Sequence, residues 1–397
     1  MTVDLKTGCL RRRIAVVVPK YGLVGGGEKF VFELTEQLAL DPRWEIHVFA
    51  NQWRQGNAEI RFHHVPILKF PRFARPLSFA HFARDKINRV GVDLIHTHER
   101  IFDAHVYSVH GIPHSIWVEQ IRGKRFPSLF DRSLSYVERR LLGSSNCKSL
   151  LAVSSITADY LQMVFKDVSD RISVVPPGVD LTPFARWSKP ACRQDLRTRF
   201  GWQADDRVLL FVGMNFEIKG LDQIMTAMAR LPHSDASLPR LRLLVIGKGN
   251  VHKYARLADS LGIGENVVCL GPVTADIERI YLGSDLLILM SLFDTFGLVI
   301  LEAMAAGLPV VVSRYVGAKD IVQNGGNGFV VDPHDIHAIG RSIRQCLDPE
   351  LNVRMAAHAF ATAQAHTWPA VAQKVSAVYE KTLNRGHPPA TIAPRRE

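Results

Sequence analysis

The sequence predicts an α/β protein of two doubly wound halves, and two observations predict it. Apolar runs rich in β-branched residues alternate with stretches of helical period along most of the chain, the pattern of βαβ units and a parallel sheet. The series restarts after Pro176 and Pro177, and 397 residues with 47% hydrophobic content exceed what one core usually serves.

The first half opens with the strand-like run "RIAVVVP" (13–19), then a Gly-rich turn and the helix-period stretch "EKFVFELTEQLAL". "EIHVFA" (45–50), "VDLIHTH" (92–98), "SLLAVS" (149–154) and "RISVVPPGVD" (171–180) continue it. A polar segment from Lys189 to Asp206 leads into the second series: "RVLLFVGM" (207–214), helix-like "GLDQIMTAMARL", "LRLLVIGKG" (241–249), "NVVCLGP" (266–272), "SDLLILMS" (284–291), "LPVVVS" (308–313) and "GFVVD" (328–332). Helical period then runs from about Asp335 to Leu383. The halves join near residue 180, and ligand sites are expected at the carboxyl ends of the strands, in a cleft between facing halves. Residues 1–11 are expected to be flexible, and the Pro- and Arg-rich end after Gly386 to be a disordered tail.

The five cysteines are scattered, with no CxxC and no histidine at metal-ligand spacing, so they read as reduced cytosolic residues. The apolar stretch Ile14 to Val18 is cut by Pro19 and Lys20, too short for a signal peptide, and no run approaches the roughly 18 apolar residues of a membrane span. A soluble protein that stays inside the cell is the expectation. A net charge of +11 implies an anionic partner without saying whether it is nucleic acid, a membrane surface or a phosphorylated substrate. The cations concentrate in the first half: Arg72, Arg75, Arg84, Lys86 and Arg89 form one group. Arg122, Lys124, Arg125, Arg132, Arg139 and Arg140 form another, interleaved with Trp117, Phe126, Leu129, Phe130, Leu134 and Tyr136.

The strand ends carry the chemistry. "YGLVGGGEKF" follows the first strand, so Gly25, Gly26 and Gly27 precede a helix whose amides and dipole can face an anion; a plain tight turn is the alternative. The spacing is neither a P-loop nor G-x-G-x-x-G. "FVGMNFEIKGLDQI" puts Lys219 and Gly220 at the mouth of a helix, where ammonium and dipole would act together on a phosphate. "VIGKGN" repeats the arrangement with Gly247, Lys248 and Gly249, and two such ends favour a nucleoside diphosphate. In "SLFDTFGLVILEAMAAGLPVV" (291–311) a strand ends in a loop holding Asp294, and the helix that follows carries Glu302 on an apolar, largely buried surface. An unpaired carboxylate there is expensive, so Glu302 requires partners: a lysine, an arginine, backbone amides, or the hydroxyls of a ligand ribose.

Together "DTFGLVILEAMAAGLPVV", "VGMNFEIKGLDQIMTAMARL", "VVPPGVD", "LLVIGKG" and "GPVTADIERIYLGSDLLILMS" resemble the nucleotide-sugar domain of the retaining GT-B glycosyltransferases of family GT4, whose signature is two glutamates separated by seven residues. "VYSVHGIPHSIWVE" and the basic-aromatic stretch after it are more narrowly similar to the lipopolysaccharide-core glucosyltransferase branch. The resemblance implies a GT-B fold, two Rossmann-like doubly wound domains facing each other across a cleft. It divides the chain into an acceptor-binding domain (1–180), a nucleotide-sugar domain (181–370), a C-terminal helix (371–385) crossing back to the first domain, and the tail 386–397. It implies that Glu302 holds the donor ribose, that the amides around Phe296, Gly297, Leu298 and Val299 face phosphate or sugar, and that Gly26, Gly27, Lys248 and Val273 also serve the donor. Asp294 stands at the first glutamate position, one methylene shorter, beside the transferred sugar. Lys219 matches the lysine that neutralises the diphosphate, but the arginine that assists it is missing, with Met214 or Ile218 in its place. His110 resembles the first-domain residue that lies by the sugar, with His114 as the neighbouring alternative.

The implied reaction is retaining transfer of a sugar from a nucleotide diphosphate donor, with UDP favoured, to a saccharide or lipid-linked acceptor at the cytoplasmic membrane face. No D-x-D motif appears, so no divalent cation and no other cofactor is expected. Arg122, Lys124 and Arg125, in the stretch Ile116 to Leu142, are candidates for meeting an anionic membrane surface; an amphipathic helix with a solvated cationic face is the alternative. Two other functions compete: a GT-B-like sugar-nucleotide epimerase, and a non-catalytic nucleotide or nucleic-acid binding protein, for which no recognition motif appears. Donor sugar, base, acceptor, linkage and oligomeric state are not legible.

Overall fold

The computed structural model describes residues 2–3, 10–23, 25–231 and 240–384. Most of the expected flexible start, with Cys9, and all of the tail 386–397 lie outside the described residues. The chain divides into two compact units: the residues up to Pro177 together with those from Trp368, and Gly178–Thr367. These divisions fall within a few residues of 180 and 370.

Among the described residues the first unit holds an eight-stranded sheet. Its main path runs Ile172–Val174, Ser149–Ala152, Val106–Val109, Leu94–Thr97, Leu10–Val17, Trp44–Ala50, Arg61–His64, all parallel. Thr2–Val3 pairs antiparallel with the start of Leu10–Val17. Numbered along the chain from Leu10–Val17, the strands order as 3-2-1-4-5-6-7. The second unit's sheet runs Val267–Gly271, Leu241–Ile246, Arg207–Val212, Leu286–Leu289, Val310–Ser313, Gly328–Val331, again parallel, and orders as 3-2-1-4-5-6. Both are Rossmann orders, with a reversal between strands 1 and 4 where ligands bind in open α/β sheets.

The central strands are apolar without alternation because both faces are covered. Ile14 to Val17, Val208 to Phe211, Leu286 to Leu289 and Val310 to Val312 are fully buried. Helices supply the cover: Gly26–Leu38 buries Phe30, Val31, Leu34 and Leu38, and Leu221–Ala229 buries Leu221, Ile224, Met225 and Met228, each a one-sided stripe.

Three elements depart from the expected series. Arg61–His64 is a partly exposed edge strand in which Phe62 is the one apolar residue, with no apolar run to reveal it. The first basic group lies in and around the helix Ala74–Val90, which packs through Phe79, Ala80, Ala83 and Ile87, a stripe too rich in alanine to stand out. The long helical stretch is three helices: Ile336–Leu347, Pro349–Ala365 and Trp368–Asn384. Asp348 breaks the first pair by capping the second helix, its Oδ1 accepting from Leu351 N at 2.9 Å. The third helix belongs to the first unit: Trp368 packs edge-on to Phe30 and Tyr379 edge-on to Trp44.

Candidate active site

In the second unit the reversal lies between Arg207–Val212 and Leu286–Leu289, and the loops leaving these strands carry Lys219 and Asp294. Gly220 lets the loops meet. Its φ is +72°, and a Cβ there would lie 2.0 Å from the Met290 carbonyl oxygen, so a side chain would force the loops apart. Leu292 N donates to Ile218 O at 2.8 Å, fixing one loop on the other. Lys219 Nζ is then ion-paired with Asp294 Oδ2. The side chains stay 20% and 16% exposed, enough for a ligand to reach both.

Asp294 is held by its backbone as well. Its N donates to Tyr315 O at 3.1 Å, its carbonyl accepts from Gly317 N at 3.0 Å, and its Oδ1 accepts from Phe296 N at 3.3 Å. The chain then turns at Gly297, φ +87°, into the helix Leu298–Ala305, which has no side-chain cap. The helix Leu221–Ala229 likewise begins at glycine, with no side-chain cap at Gly220. Two helix N-termini thus point uncapped amides and positive dipole ends toward the edge where Lys219 and Asp294 sit.

The third expected helix end differs. Asn250 caps the helix Val251–Ser260, its side chain accepting from Lys253 N at 3.1 Å. Gly247 (φ +126°) instead admits the neighbouring loop, since a Cβ would lie 1.8 Å from Gly213 O, and Asn215 N donates to Lys248 O at 2.8 Å. The glycines of "VIGKGN" thus admit close neighbours, the Gly213 backbone at Gly247 and the Phe216 ring at Gly249, and the Lys248 side chain is exposed beside them. Val273 follows the strand Val267–Gly271 and lines a separate cavity of about 360 Å³ with Cys192, Asp195 and Arg279. Met214 and Ile218, where the resemblance leads one to expect an arginine, are 60% and 36% exposed, and neither supplies a charge.

Glu302 has a partner the sequence did not reveal. Tyr281, fully buried on the helix Ile277–Gly283, donates its hydroxyl to Glu302 Oε2 at 3.0 Å. Burial, then the Glu302 charge, raise the Tyr281 phenol well above its ordinary range, so it stays a donor. The only sequence signal was a tyrosine in the apolar face of "IERIYLGSD".

In the first unit the reversal lies between Leu10–Val17 and Leu94–Thr97. The helix Gly26–Leu38 starts at Gly26 itself, so Gly26 and Gly27 form its first turn rather than a loop ahead of it. Gly27 faces His110, whose Cβ would be 3.9 Å from a Cβ built on the glycine. His110 Nε2 lies 2.9 Å from His98 Nδ1 with the rings stacked, and Phe30 meets His110 edge-on. His96, beneath His98, bridges Tyr379 Oη at 2.6 Å and Ser108 Oγ at 2.8 Å. Spacing along the chain gave no sign of this histidine stack. His114 is buried, with Nε2 3.0 Å from Asp131 Oδ1. Its partner is a carboxylate of its own unit.

Burial lowers His110 to about 4 and, with the His110 charge, His96 to about 3; it also drives His98 well below its ordinary value. These imidazoles are neutral at pH 7. An unfolded histidine titrates near 6.5, so below that pH the unfolded chain binds more protons and folding weakens until the folded values are reached. The thermal midpoint is expected to be flat above about pH 6.5 and to fall steeply toward pH 4, each histidine adding about 1.4 kcal/mol per pH unit. Calorimetry on His96→Gln should give a shallower acid limb; an unchanged limb contradicts the assignment.

The stretch Ile116 to Leu142 is not one helix. A π-turn, Trp117–Ile121, is followed by a loop and then the helix Leu129–Leu142, which Ser128 and Asp131 start with a reciprocal capping box. Arg122 is paired with the buried Asp131 at 3.1 Å and is not a free surface cation. Lys124 and Arg125 are exposed. No described helix is long and apolar enough to cross a membrane.

A family profile described as glycosyl transferases group 1 matches residues 193–362, and one described as glycosyltransferase family 4 matches residues 24–183. The chain is 30% identical over 325 residues to the D-inositol 3-phosphate glycosyltransferase of Stackebrandtia nassauensis, covering 77% of this chain and 70% of that one. This chain is a family 4 glycosyltransferase. It is also 34% identical over 249 residues to D-inositol 3-phosphate glycosyltransferase 1 of Catenulispora acidiphila, 60% of this chain and 58% of that one. The match to that relative thus spans little more than half its length.

Among solved structures the glycosyltransferase superposes on WaaG, described as involved in lipopolysaccharide biosynthesis, with a TM-score of 0.75 at 21% identity, covering 92% of this chain and 99% of that one. Anabaena HepE in complex with UDP and glucose gives a TM-score of 0.69 at 19% identity, covering 94% of this chain and 100% of that one. At these identities the likeness carries the fold, which is GT-B: two Rossmann-like domains with parallel sheets.

Proposed function

We propose that this glycosyltransferase moves a sugar, with retention and without a metal ion, from a UDP-sugar to a lipid-linked or lipopolysaccharide-core saccharide at the cytoplasmic face of the membrane. The observation that carries the reading is the Lys219–Asp294 contact at the strand reversal, flanked by the uncapped helix that begins after Gly297.

Cleaving the anomeric carbon–oxygen bond puts negative charge on the departing diphosphate and positive charge on the sugar ring. Lys219 and the amides of Gly297 to Val299 are assigned to the first and Asp294 to the second; fixed donors aimed at developing charge are usually the largest catalytic contribution. Without donor, each of the two charged groups serves as the other's counterion. Donor entry exchanges that pairing, giving Lys219 to the diphosphate and Asp294 to the sugar. Glu302 accepts from the ribose hydroxyls, and Tyr281 holds one of its oxygens in place. His110, neutral at pH 7, hydrogen-bonds the sugar and is not assigned to deliver a proton as imidazolium. The complex of HepE with UDP and glucose supports a UDP donor, and the resemblance of "VYSVHGIPHSIWVE" and the basic-aromatic stretch after it to the lipopolysaccharide-core branch is what favours the saccharide acceptor.

The test incubates the full chain with a panel of UDP-sugars and envelope lipid acceptors, with and without EDTA, and reads the product's anomeric configuration by NMR. The expected result is an EDTA-insensitive transfer with the donor's configuration. Inversion, or loss of activity in EDTA, removes the corresponding part of the proposal, and an epimerised donor in the absence of acceptor replaces it with an epimerase.

A further inference from the structure

The second basic group divides sharply. Of its six cations Arg122 is paired with Asp131, and Arg140 lies over the Phe102 ring with Nη1 3.3 Å from Tyr136 Oη. The other four, Lys124, Arg125, Arg132 and Arg139, line one cavity of about 630 Å³ within the first unit, and among the described residues none is ion-paired with a carboxylate.

The cavity is built by the local sequence. Arg132, Ser135, Tyr136 and Arg139 stand at i, i+3, i+4 and i+7 of the helix Leu129–Leu142, so they share one face. Ser115, Val118 and Glu119 form the facing wall at the same spacing, and the loop with Gly123 (φ +57°), Lys124 and Arg125 closes one end. Buried bonds fasten the two walls: His114 to Asp131, and Glu138, which accepts from His114 N at 2.8 Å and from Arg100 Nε at 2.7 Å.

Four cations against one carboxylate, Glu119, repel one another in a concavity. Arginine forks match the oxygens of a phosphate bidentately, whereas Glu119, the serines and the Tyr136 hydroxyl suit sugar or polyol hydroxyls. The volume fits a small molecule and not a flat surface alone. Beside the cavity Phe126 is 80% and Leu129 64% exposed, apolar area suited to a lipid chain leaving the phosphate.

We propose that this cavity is a phosphate-binding site for the acceptor, which is therefore a phosphorylated saccharide or polyol, either free or as a lipid headgroup. This deepens the glycosyltransferase reading and rests on it for the word acceptor; the anion site itself does not.

The full chain, saturated with UDP to occupy the donor site, is titrated with glucose 6-phosphate and with glucose, and sedimented with phosphatidate-containing and pure phosphatidylcholine vesicles. Wild type should bind glucose 6-phosphate but not glucose, and Arg132→Ala/Arg139→Ala should weaken it at least tenfold with affinity for UDP unchanged. Sedimentation with phosphatidate vesicles alone, lost in the variant, supports a lipid-borne phosphate. Equal binding by variant and wild type, or no binding in either arm, overturns the proposal. Failure of wild type to bind UDP would instead count against the donor reading and leave the cavity standing.

Discussion

Replacing Asp294 by alanine should lower turnover by about 10²- to 10³-fold, the scale of removing one charge-stabilising group from a reacting centre, while affinity for free UDP holds or rises. The asymmetry follows from the Lys219 pairing. The carboxylate competes with the diphosphate for the ammonium, and UDP lacks the transferred sugar that Asp294 is proposed to contact. A partly exposed pair is worth about 0.2–1 kcal/mol, so its removal tightens UDP by at most about fivefold. Asp294→Asn keeps an acceptor for Phe296 N and isolates the charge from the loop's shape. Steady-state kinetics and calorimetric titration of the same preparations check it: equal losses in turnover and in UDP affinity would make Asp294 a structural residue.

Glu302→Gln should weaken UDP by about 10- to 150-fold, since hydrogen bonds to a charged group contribute about 1.5–3 kcal/mol. Folding should survive, because the glutamine carbonyl still accepts from Tyr281. Lys219→Ala should weaken UDP too, for a different reason, the loss of the diphosphate's counterion. A nucleotide lacking the ribose 2′-hydroxyl separates them. It should bind wild type and Lys219→Ala more weakly than UDP does, yet bind Glu302→Gln about as well as UDP. Coupling of this kind isolates the pairwise contact; equal sensitivity in all three proteins would remove the ribose assignment.

The fold was legible because doubly wound sheets are written in continuous apolar strands such as "VLLFV" and "DLLILM", buried on both faces. Lys219, Asp294 and Glu302 were legible as polar residues at strand ends and on an apolar helix. Their relation was not. The Lys219–Asp294 contact spans 75 residues and depends on the Gly220 backbone meeting Met290, which no local pattern encodes. Tyr281 was hidden because a buried tyrosine in an apolar stripe looks like core. The histidine stack was hidden because His96, His98 and His110 come from neighbouring parallel strands and meet only through sheet register. The close approach of Gly213 to Gly247 was hidden because glycine that cradles an anion and glycine that admits a neighbouring backbone read alike in sequence.

Hydrogen–deuterium exchange of the full chain with and without saturating UDP tests the central assignment most directly. Protection is expected to concentrate in the loop and helix start from Gly213 to Leu221 and in Asp294 to Glu302. Saturated binding with no protection in these two segments would contradict it.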